Sequence, residues 1–448
     1  MSKELLVYIG GRPVGTLDET EGNLRFRYEP SYRLAPAAVP LSPWIPLEAE
    51  ETVGSPVRNY FENLLPEGDL RELISKTIQV SKDNVFGFLE HFGGDMAGNV
   101  SILLPGEQPG QRHYLPIDRS LIREWNENHS GKPLVLQAKD SRLSISGAQD
   151  KISLYLNAAG DFFLPVGDAP STHILKPDIR YHEGVLHSSL NEAFVMRLAE
   201  RSGLSVPKTE YLPELRSILV CRYDRTWSEG GSGPVERLKQ MDLCQLMDVP
   251  SEKKYEAEGG LSLSQVFGLV RKHSTSPGPD TIRLIGWLAF NLSVGNMDGH
   301  AKNLSLLYEN GGQVHLAPFY DLMSTNVYSG LSRKMAFKIG GENRPDWLMK
   351  RHWQRFADEM EIKSSLVFRT VESVIKNVLG EIPSVKEEIE KLTLSESERI
   401  FLEKLTRHVG KSAERALRLQ NNPESGNLEM DMGIPPEEEE EEERLGPS

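Results

Sequence analysis

The residues with the clearest chemical potential lie in one short run: Gly295, Asn296, Met297, Asp298, Gly299, His300, Ala301, Lys302 and Asn303, with Asp321 following. Asp298 and Asn303 stand five positions apart, the D-x-x-x-x-N spacing of a phosphoryl-transfer loop. In that chemistry the Asp accepts the proton of an attacking hydroxyl. The Asn amide oxygen and a later Asp carboxylate hold a magnesium ion, which needs oxygen ligands and keeps several waters. The spacing alone is weak evidence, because it recurs by chance. A second run, Ser144, Ile145, Ser146, Gly147, Ala148, Gln149, Asp150 and Lys151, is a small-residue turn between strand signals. Such a turn lets backbone N–H groups approach phosphate oxygens, although it fits neither the Walker A pattern nor the usual kinase Gly-rich loop. Read alone, it is an ordinary hairpin turn. Lys176 ends a strand-like segment just before Pro177, and a cleft-facing lysine there can reach phosphates. Glu192 borders the apolar stripe of the next helix. Its position favours an exposed carboxylate, with an ion pair to Lys176 as the second reading.

The elements that must hold these residues are legible from periodicity. Residues 5–9 form an apolar strand running into Gly10 and Gly11, a hairpin signal. Tyr60, Phe61, Leu64 and Leu65 place a helix over 57–65, stopped at Pro66. The Pro- and Gly-rich stretch 105–110 marks a boundary. Strands are expected at 154–156 and 162–164 around a turn at 157–160, and again at 173–176 and 218–221. Leu190, Phe194 and Leu198 make a helix over 188–202, with Gly203 at its C-terminal cap. Residues 282–292 are apolar on most faces, which predicts a buried helix ended by Gly295. Segments 304–308 and 314–318 form a hairpin with its turn at 309–312. Asn303 opens that hairpin and Asp321 follows it, so the two emerge at one end. Ser395 and Glu398 form a capping box before a stripe of Leu402, Leu405, Val409, Ala413 and Ala416.

Composition bounds the rest. The 448 residues are enough for two or three structural units. Residues 421–448 hold ten acidic residues and one Arg, so they carry −9 of the net −14 and leave only −5 for the rest. That body lacks the strong basic charge of a dedicated nucleic-acid binder. The tail, with seven consecutive Glu at 437–443, cannot bury a core and is expected to be disordered. Two cysteines, Cys221 and Cys244, exclude a disulfide scaffold and a cysteine zinc module. No apolar run approaches a membrane span, and Lys3 and Glu4 before a short apolar run argue against a secretory signal. A cytoplasmic location, with no membrane partner, is the expectation. No G-x-S-x-G elbow occurs, and His300 beside Asp298 reads only weakly as a metal or hydrolase pair.

These motifs, together with Thr172, His173, Ile174, Leu175 and Lys176, and with Pro318, Phe319, Tyr320 and Asp321, resemble the HipA family of bacterial serine/threonine kinase toxins. The segment 58–66 looks like that family's N-terminal signature, and 255–260 like another of its segments. The resemblance runs in order over about 1–415. It implies an α+β, two-lobed, protein-kinase-like fold with an additional N-terminal α/β subdomain. The expected units are 1–105 for that subdomain, 106–240 for the N-lobe, 241–420 for the helical C-lobe and 421–448 for the tail. It implies ATP and Mg2+ as cofactors, with Asp298 as catalytic base and Asn303 and Asp321 as metal ligands. Lys176 would hold the ATP phosphates. Residues 144–151 would be the phosphate loop, with Cys221, Arg222 and Tyr223 at the adenine hinge and His300 among the nucleotide-binding residues. It implies phosphorylation of a protein Ser or Thr, typically on an aminoacyl-tRNA synthetase, and silencing by autophosphorylation at Ser144 or Ser146. A helix-turn-helix antitoxin of the HipB kind is the implied partner, with operator DNA reached mainly through it. A small-molecule kinase and a catalytically silent corepressor subunit stay open as alternatives.

Overall fold

The computed structural model describes residues 3–421 apart from 108, 111–112, 128–132, 137–146, 148, 181, 228–233 and 310. The acidic tail expected to be disordered falls almost wholly on 422–448, outside the described residues.

The chain begins with β1 (Glu4–Ile9), β2 (Arg12–Thr20), β3 (Asn23–Tyr28) and β4 (Glu51–Val53), joined later by β5 (Val100–Leu103). They form one antiparallel sheet in the order β4-β3-β2-β1-β5. Gly10 and Gly11 turn β1 into β2 with φ of 57° and 78°. Two successive positive values are what a tight hairpin needs and what a side chain resists. Helices Ser55–Glu62, Gly68–Ile78 and Val85–Phe92 complete this unit. The first ends three residues earlier than its apolar spacing predicts. Leu64 and Leu65 tighten into i→i−3 bonds to Phe61 and Glu62, at 3.1 and 3.0 Å, and remain buried. Pro66 disfavours helical geometry in the residue before it.

The second unit is a six-stranded sheet of β6 (His113–Pro116), β7 (Ile152–Leu156), β8 (Phe162–Val166), β9 (His173–Pro177), β10 (Thr209–Leu212) and β11 (Ser217–Cys221), ordered β10-β11-β9-β7-β8-β6. The Asn157 side chain accepts from the N–H groups of Ala159 and Asp161, both at 2.9 Å, and so builds the β7–β8 turn. Helix Ser188–Arg201 packs against β9, β10 and β11. It closes with Gly203 at φ 92° and a Leu204 N–H to Ala199 O bond of 3.0 Å, a Schellman ending.

The third unit is mostly helical. Helix Pro277–Val294 runs through its centre and is buried from Leu284 to Val294. Helices Leu263–His273, Ser364–Glu390 and Glu396–Asn421 surround it. A small sheet, β14 (Lys239–Asp242), β15 (Ser305–Tyr308) and β16 (Val314–Leu316), carries the hairpin expected from the sequence. The pair β12 (Arg225–Trp227) and β13 (Val235–Arg237) lies between the second and third units in the chain. One apolar core runs continuously from the first sheet to the last helix, so the N-terminal unit is packed into the body. Among the described residues no helix is long and apolar enough to cross a membrane.

A buried ionic knot fastens the first unit to the second. Asp95 has no exposed surface and binds Arg222 at 3.2 Å, Arg225 at 2.9 Å and Arg237 at 2.9 Å, while Asp224 binds Arg222 at 2.7 Å. Burial would raise the Asp95 pKa, but the three guanidinium groups hold it far below the usual carboxylate range. Asp95→Ala should leave buried cations uncompensated and cost about 3–5 kcal/mol. Thermal unfolding would show this as a clear drop in midpoint, and a midpoint unchanged from wild type would refute it.

Candidate active site

The two lobes enclose a cavity of about 770 Å³. That is an ordinary size for a site that takes a nucleotide-sized ligand. The centre of its charge is Lys176 on β9. Its Nζ lies 2.7 Å from Glu192 Oε1 on helix Ser188–Arg201, and it also bonds Asp321 Oδ1. Glu192 is only 3% exposed, so the surface-carboxylate reading gives way to the ion-pair reading. The helix face that carries Glu192 turns toward the sheet, a fact its own periodicity does not reveal. Burial would lower the Lys176 pKa, but Asp321 and Glu192 carry it above the ordinary lysine range. Glu192, the deeper carboxyl, is raised by burial against the pull of Lys176. Asp321 goes the other way: Lys176 and Lys151 overcome its desolvation and hold it well down.

The catalytic-type loop is fixed by the end of helix Pro277–Val294. Gly295 takes φ 70° and caps the helix onto Asn291 O. Asn296 Oδ1 accepts from the Asp298 N–H at 3.1 Å, and the Met297 N–H donates to Thr325 Oγ1 at 2.8 Å. Gly299 lies so close to the helix that a Cβ would sit 2.8 Å from Asn291 Nδ2. The Asp298 carboxylate is left half exposed in the cavity and accepts a hydrogen bond from the Tyr255 hydroxyl. The His300 ring meets Tyr255 edge-on at 5.1 Å, and its Nε2 is 3.9 Å from Asp298 Oδ1. Burial lowers the His300 pKa to about 4, despite the opposing pull of Asp298, so the ring is neutral near pH 7.

Asn303 and Asp321 meet as the hairpin argument requires, with Asn303 Nδ2 3.5 Å from Asp321 Oδ2. Asp321 adopts φ 59°, a left-handed conformation unusual for a non-glycine residue and frequent at functional sites. Among the described residues no group of three or more His, Cys, Asp or Glu could hold a metal. The Asp321 carboxylate and the Asn303 amide offer oxygen donors of the kind magnesium takes, and ligand phosphates and water could complete the set. The Asn303 amide now turns its oxygen to the His300 N–H at 3.1 Å. Offering that oxygen to a metal would require the amide to rotate and release this bond.

Of the phosphate-loop residues, Ser144, Ile145, Ser146 and Ala148 lie outside the described residues. Gly147 has φ 116°, a backbone conformation that favours glycine, and a Cβ there would lie 2.8 Å from Lys151 Nζ. Lys151 is buried at the cavity wall. The other two side chains brace the loop. Gln149 Nε2 donates to Pro177 O at 2.9 Å, and Asp150 accepts from the Leu134 N–H at 2.7 Å. At the hinge, the N–H groups of Cys221 and Arg222 are bonded to Lys208 O and Thr172 O, both at 2.9 Å. The Arg222 side chain points into the Asp95 knot, and Tyr223 stacks on Tyr320 at 5.6 Å. These three line the cavity, but neither of those two N–H groups is free for a ligand.

Several site residues carried no signal in the sequence. Glu67, from the N-terminal unit, pairs with Lys302 of the loop and with Lys254 at 3.1 Å. Burial would raise its pKa, but the two ammonium groups bring it down to about 2. The Glu67 N–H also donates to Gly147 O at 3.1 Å, and Pro66 bridges Gly147. The N-terminal unit thus reaches the phosphate loop and the Asp298 loop at once. Tyr255 lay in a segment noted only for its resemblance. Its contact with Asp298 spans 43 positions, beyond any local pattern.

Comparison with known proteins bears on the chain as a whole. Residues 143–385 match the HipA-like C-terminal domain, and residues 5–103 match the HipA N-terminal domain. A Sinorhizobium fredii protein named "Putative kinase Y4mE" is 36% identical over 395 residues, covering 86% of this chain and 92% of that protein. The Shewanella oneidensis "Serine/threonine-protein kinase toxin HipA" is 27% identical over 396 residues, covering 85% and 89%. The solved complex of Shewanella oneidensis HipA, HipB and operator DNA contains a chain that superposes with a TM-score of 0.78 at 25% identity. That match covers 93% of this chain and 98% of the other.

The site makes a pH prediction. Burial first, and the charge of Lys176 second, bring the Lys151 pKa from its ordinary 10.5 down to about 8. Below that pH the cation attracts phosphate; above it the neutral amine does not. Affinity for a nucleoside triphosphate, followed by titration of a fluorescent analogue, should fall as pH rises through about 8. Lys151→Met should remove the inflection. An affinity flat from pH 7 to about 9 would count against Lys151 as a phosphate contact.

Proposed function

The chain belongs to the HipA family of serine/threonine kinase toxins, and from that premise we propose that it transfers the γ-phosphoryl group of ATP to a protein Ser or Thr as the toxin of a toxin–antitoxin pair. The observation that carries this reading is the convergence around Lys176. One ammonium binds two carboxylates from distant elements, with the Asn303 amide beside Asp321 and the Asp298 carboxylate opening on the same cavity. Lys176 and Lys151 would hold the nucleotide phosphates. Asp298 would take the proton of the substrate hydroxyl, while the Tyr255 hydroxyl bonds its Oδ1. Asn303 and Asp321 would hold the magnesium ion, whose charge offsets that developing on the transferred phosphoryl group. His300, neutral and packed beside Asp298, would keep the base from being paired with a permanent cation.

The partner and target readings rest on the family. A solved relative sits with HipB on operator DNA, which supports an antitoxin of that kind here, with DNA reached mainly through it. An aminoacyl-tRNA synthetase is the proposed target. The division into 1–105, 106–240 and 241–420 follows the same reading. Silencing by phosphorylation of Ser144 or Ser146 has a physical basis. The Pro66 and Glu67 backbone holds Gly147, so the loop is anchored just after those serines. A phosphoserine adds about −1.5 to −2 charges where ATP phosphates should sit.

Asp298→Asn should reduce phosphotransfer about 10²–10⁴-fold while leaving nucleotide affinity nearly unchanged. Transfer at the wild-type rate would remove Asp298 from the role of base. Labelled ATP added with whole-cell lysate should give a labelled protein band; a labelled metabolite would favour a small-molecule kinase, and no transfer a silent corepressor.

Incubation with ATP should also place phosphate on Ser144 or Ser146, mapped by mass spectrometry, with activity declining as it accumulates. The double Ser→Ala variant should retain activity under the same conditions. Phosphate at neither serine would end the silencing proposal.

A further inference from the structure

The backbone of Asp298 is pinned, while its side chain depends on a single contact. Its N–H donates to Asn296 Oδ1 at 3.1 Å, and its carbonyl accepts from the His300 N–H at 2.9 Å. The carboxylate beyond them is half exposed in the cavity. Two side-chain torsions would be free to swing it, and a general base must present one oxygen to the incoming hydroxyl. The Tyr255 hydroxyl removes that freedom by donating to Oδ1. His300 Nε2 faces the same oxygen at 3.9 Å. Among the described residues no hydrogen-bond donor reaches Oδ2. A carboxylate accepts at both oxygens, so this arrangement engages one and leaves the other open to the cavity.

The segment that carries Tyr255 is tied down on every side. The N–H groups of Glu258 and Gly260 both donate to Tyr255 O, at 3.1 and 2.9 Å, and wind the chain tightly through the short turn Glu256–Glu258. A Cβ on Gly260 would lie 2.2 Å from Lys253 O and 2.7 Å from Tyr255 O, so any side chain there must push the segment aside. Lys254 pairs with Glu67 at 3.1 Å, and its ammonium lies 5.6 Å from the centre of the Tyr255 ring. Glu256 Oε2 accepts from the Lys338 N–H at 2.8 Å. The Tyr255 ring itself packs edge-on against His300 at 5.1 Å. Burial first, and the charge of Asp298 second, raise the Tyr255 pKa well above the ordinary phenol range. The hydroxyl is therefore a donor near neutral pH and does not compete for the proton that a base must take.

We propose that Tyr255 is a positioning residue for the base: its hydroxyl locks the Asp298 carboxylate through Oδ1 and commits Oδ2 to the proton of the acceptor hydroxyl. This inference rests on the assignment of Asp298 as the base. The orientation is set before the acceptor arrives, so the carboxylate needs no reorganisation at the moment of transfer. The lock also links the base to the N-terminal unit, because Lys254, next to Tyr255 in the chain, is held by Glu67.

The test uses the full-length chain, labelled ATP and the protein band that the wild type labels in a whole-cell lysate. Tyr255→Phe keeps the ring against His300 and removes only the hydroxyl. At saturating ATP it should label that band about ten- to a hundredfold more slowly, with the KM for ATP unchanged. Added to Asp298→Asn, it should slow transfer no further, because a residue that acts through another loses its effect once that other is gone. Gly260→Ala, which displaces the segment without altering a residue that lines the cavity, should give the same split between rate and KM. A raised KM for ATP in Tyr255→Phe with its rate intact would overturn the proposal, as would a further loss on top of Asp298→Asn. If Tyr255→Phe matches or exceeds the wild-type rate while Asp298→Asn is slow, the positioning role alone falls. If the wild type labels no protein, or Asp298→Asn keeps its full rate, the functional reading itself falls and takes this inference with it.

Discussion

A single buried ammonium organises the site. Lys176 is only 6% exposed, and an isolated charge at that depth would be driven to neutrality. It remains charged because Glu192 and Asp321 approach it from two other elements. Each partner depends on the others, since a carboxylate buried beside no cation would protonate. The strand β9, helix Ser188–Arg201 and the segment after the hairpin β15–β16 therefore share one electrostatic minimum. That arrangement brings Asp321 to the Asn303 amide and turns both toward the same cavity as Asp298.

The N-terminal unit is part of this machinery. Glu67 neutralises Lys302 and Lys254, while its backbone holds Gly147. The Asp95 knot reaches the hinge through Arg222. The N-terminal unit thus touches the cavity both beside Gly147 and beside Arg222, and its apolar core is continuous with the rest. A movement of this unit, such as one imposed by a bound partner, would be felt at both ends through ion pairs buried from solvent screening.

Much of the fold was legible because its signals are local. The helix at 188–202, the buried helix after 282, the turn at 157–160 and the capping box at Ser395 all depend on spacing within a few residues. Observed boundaries differ where tertiary bonds intervene, as at Leu64 and Leu65. The strands β3, β4, β5, β6, β10, β12, β13 and β14 were not anticipated, and most of them are only three or four residues long. At the site, the spacing of Asp298 and Asn303 and the hairpin before Asp321 suggested convergence, whereas Glu192 looked like surface. A residue at the edge of a helix's apolar stripe faces solvent or a neighbour depending on what packs there. Gln149 and Asp150 carried no mark to show that their side chains would brace the loop. Nothing near Glu67, Lys302 or Tyr255 announced their partners either.

The sequence alone determined the types of groups available, their order, the hairpin that unites Asn303 with Asp321, and the separation of an acidic tail from a mildly acidic body. Those properties follow from backbone periodicity, turn chemistry and charge count, each of which acts over a few residues. Only the tertiary structure decided which charges are brought together: Lys176 with Glu192 and Asp321, Glu67 with Lys302 and Lys254, and Asp95 with three arginines. The reason is physical. Pairing of buried ions is set by desolvation and distance in space, and neither is encoded in the spacing of residues along the chain.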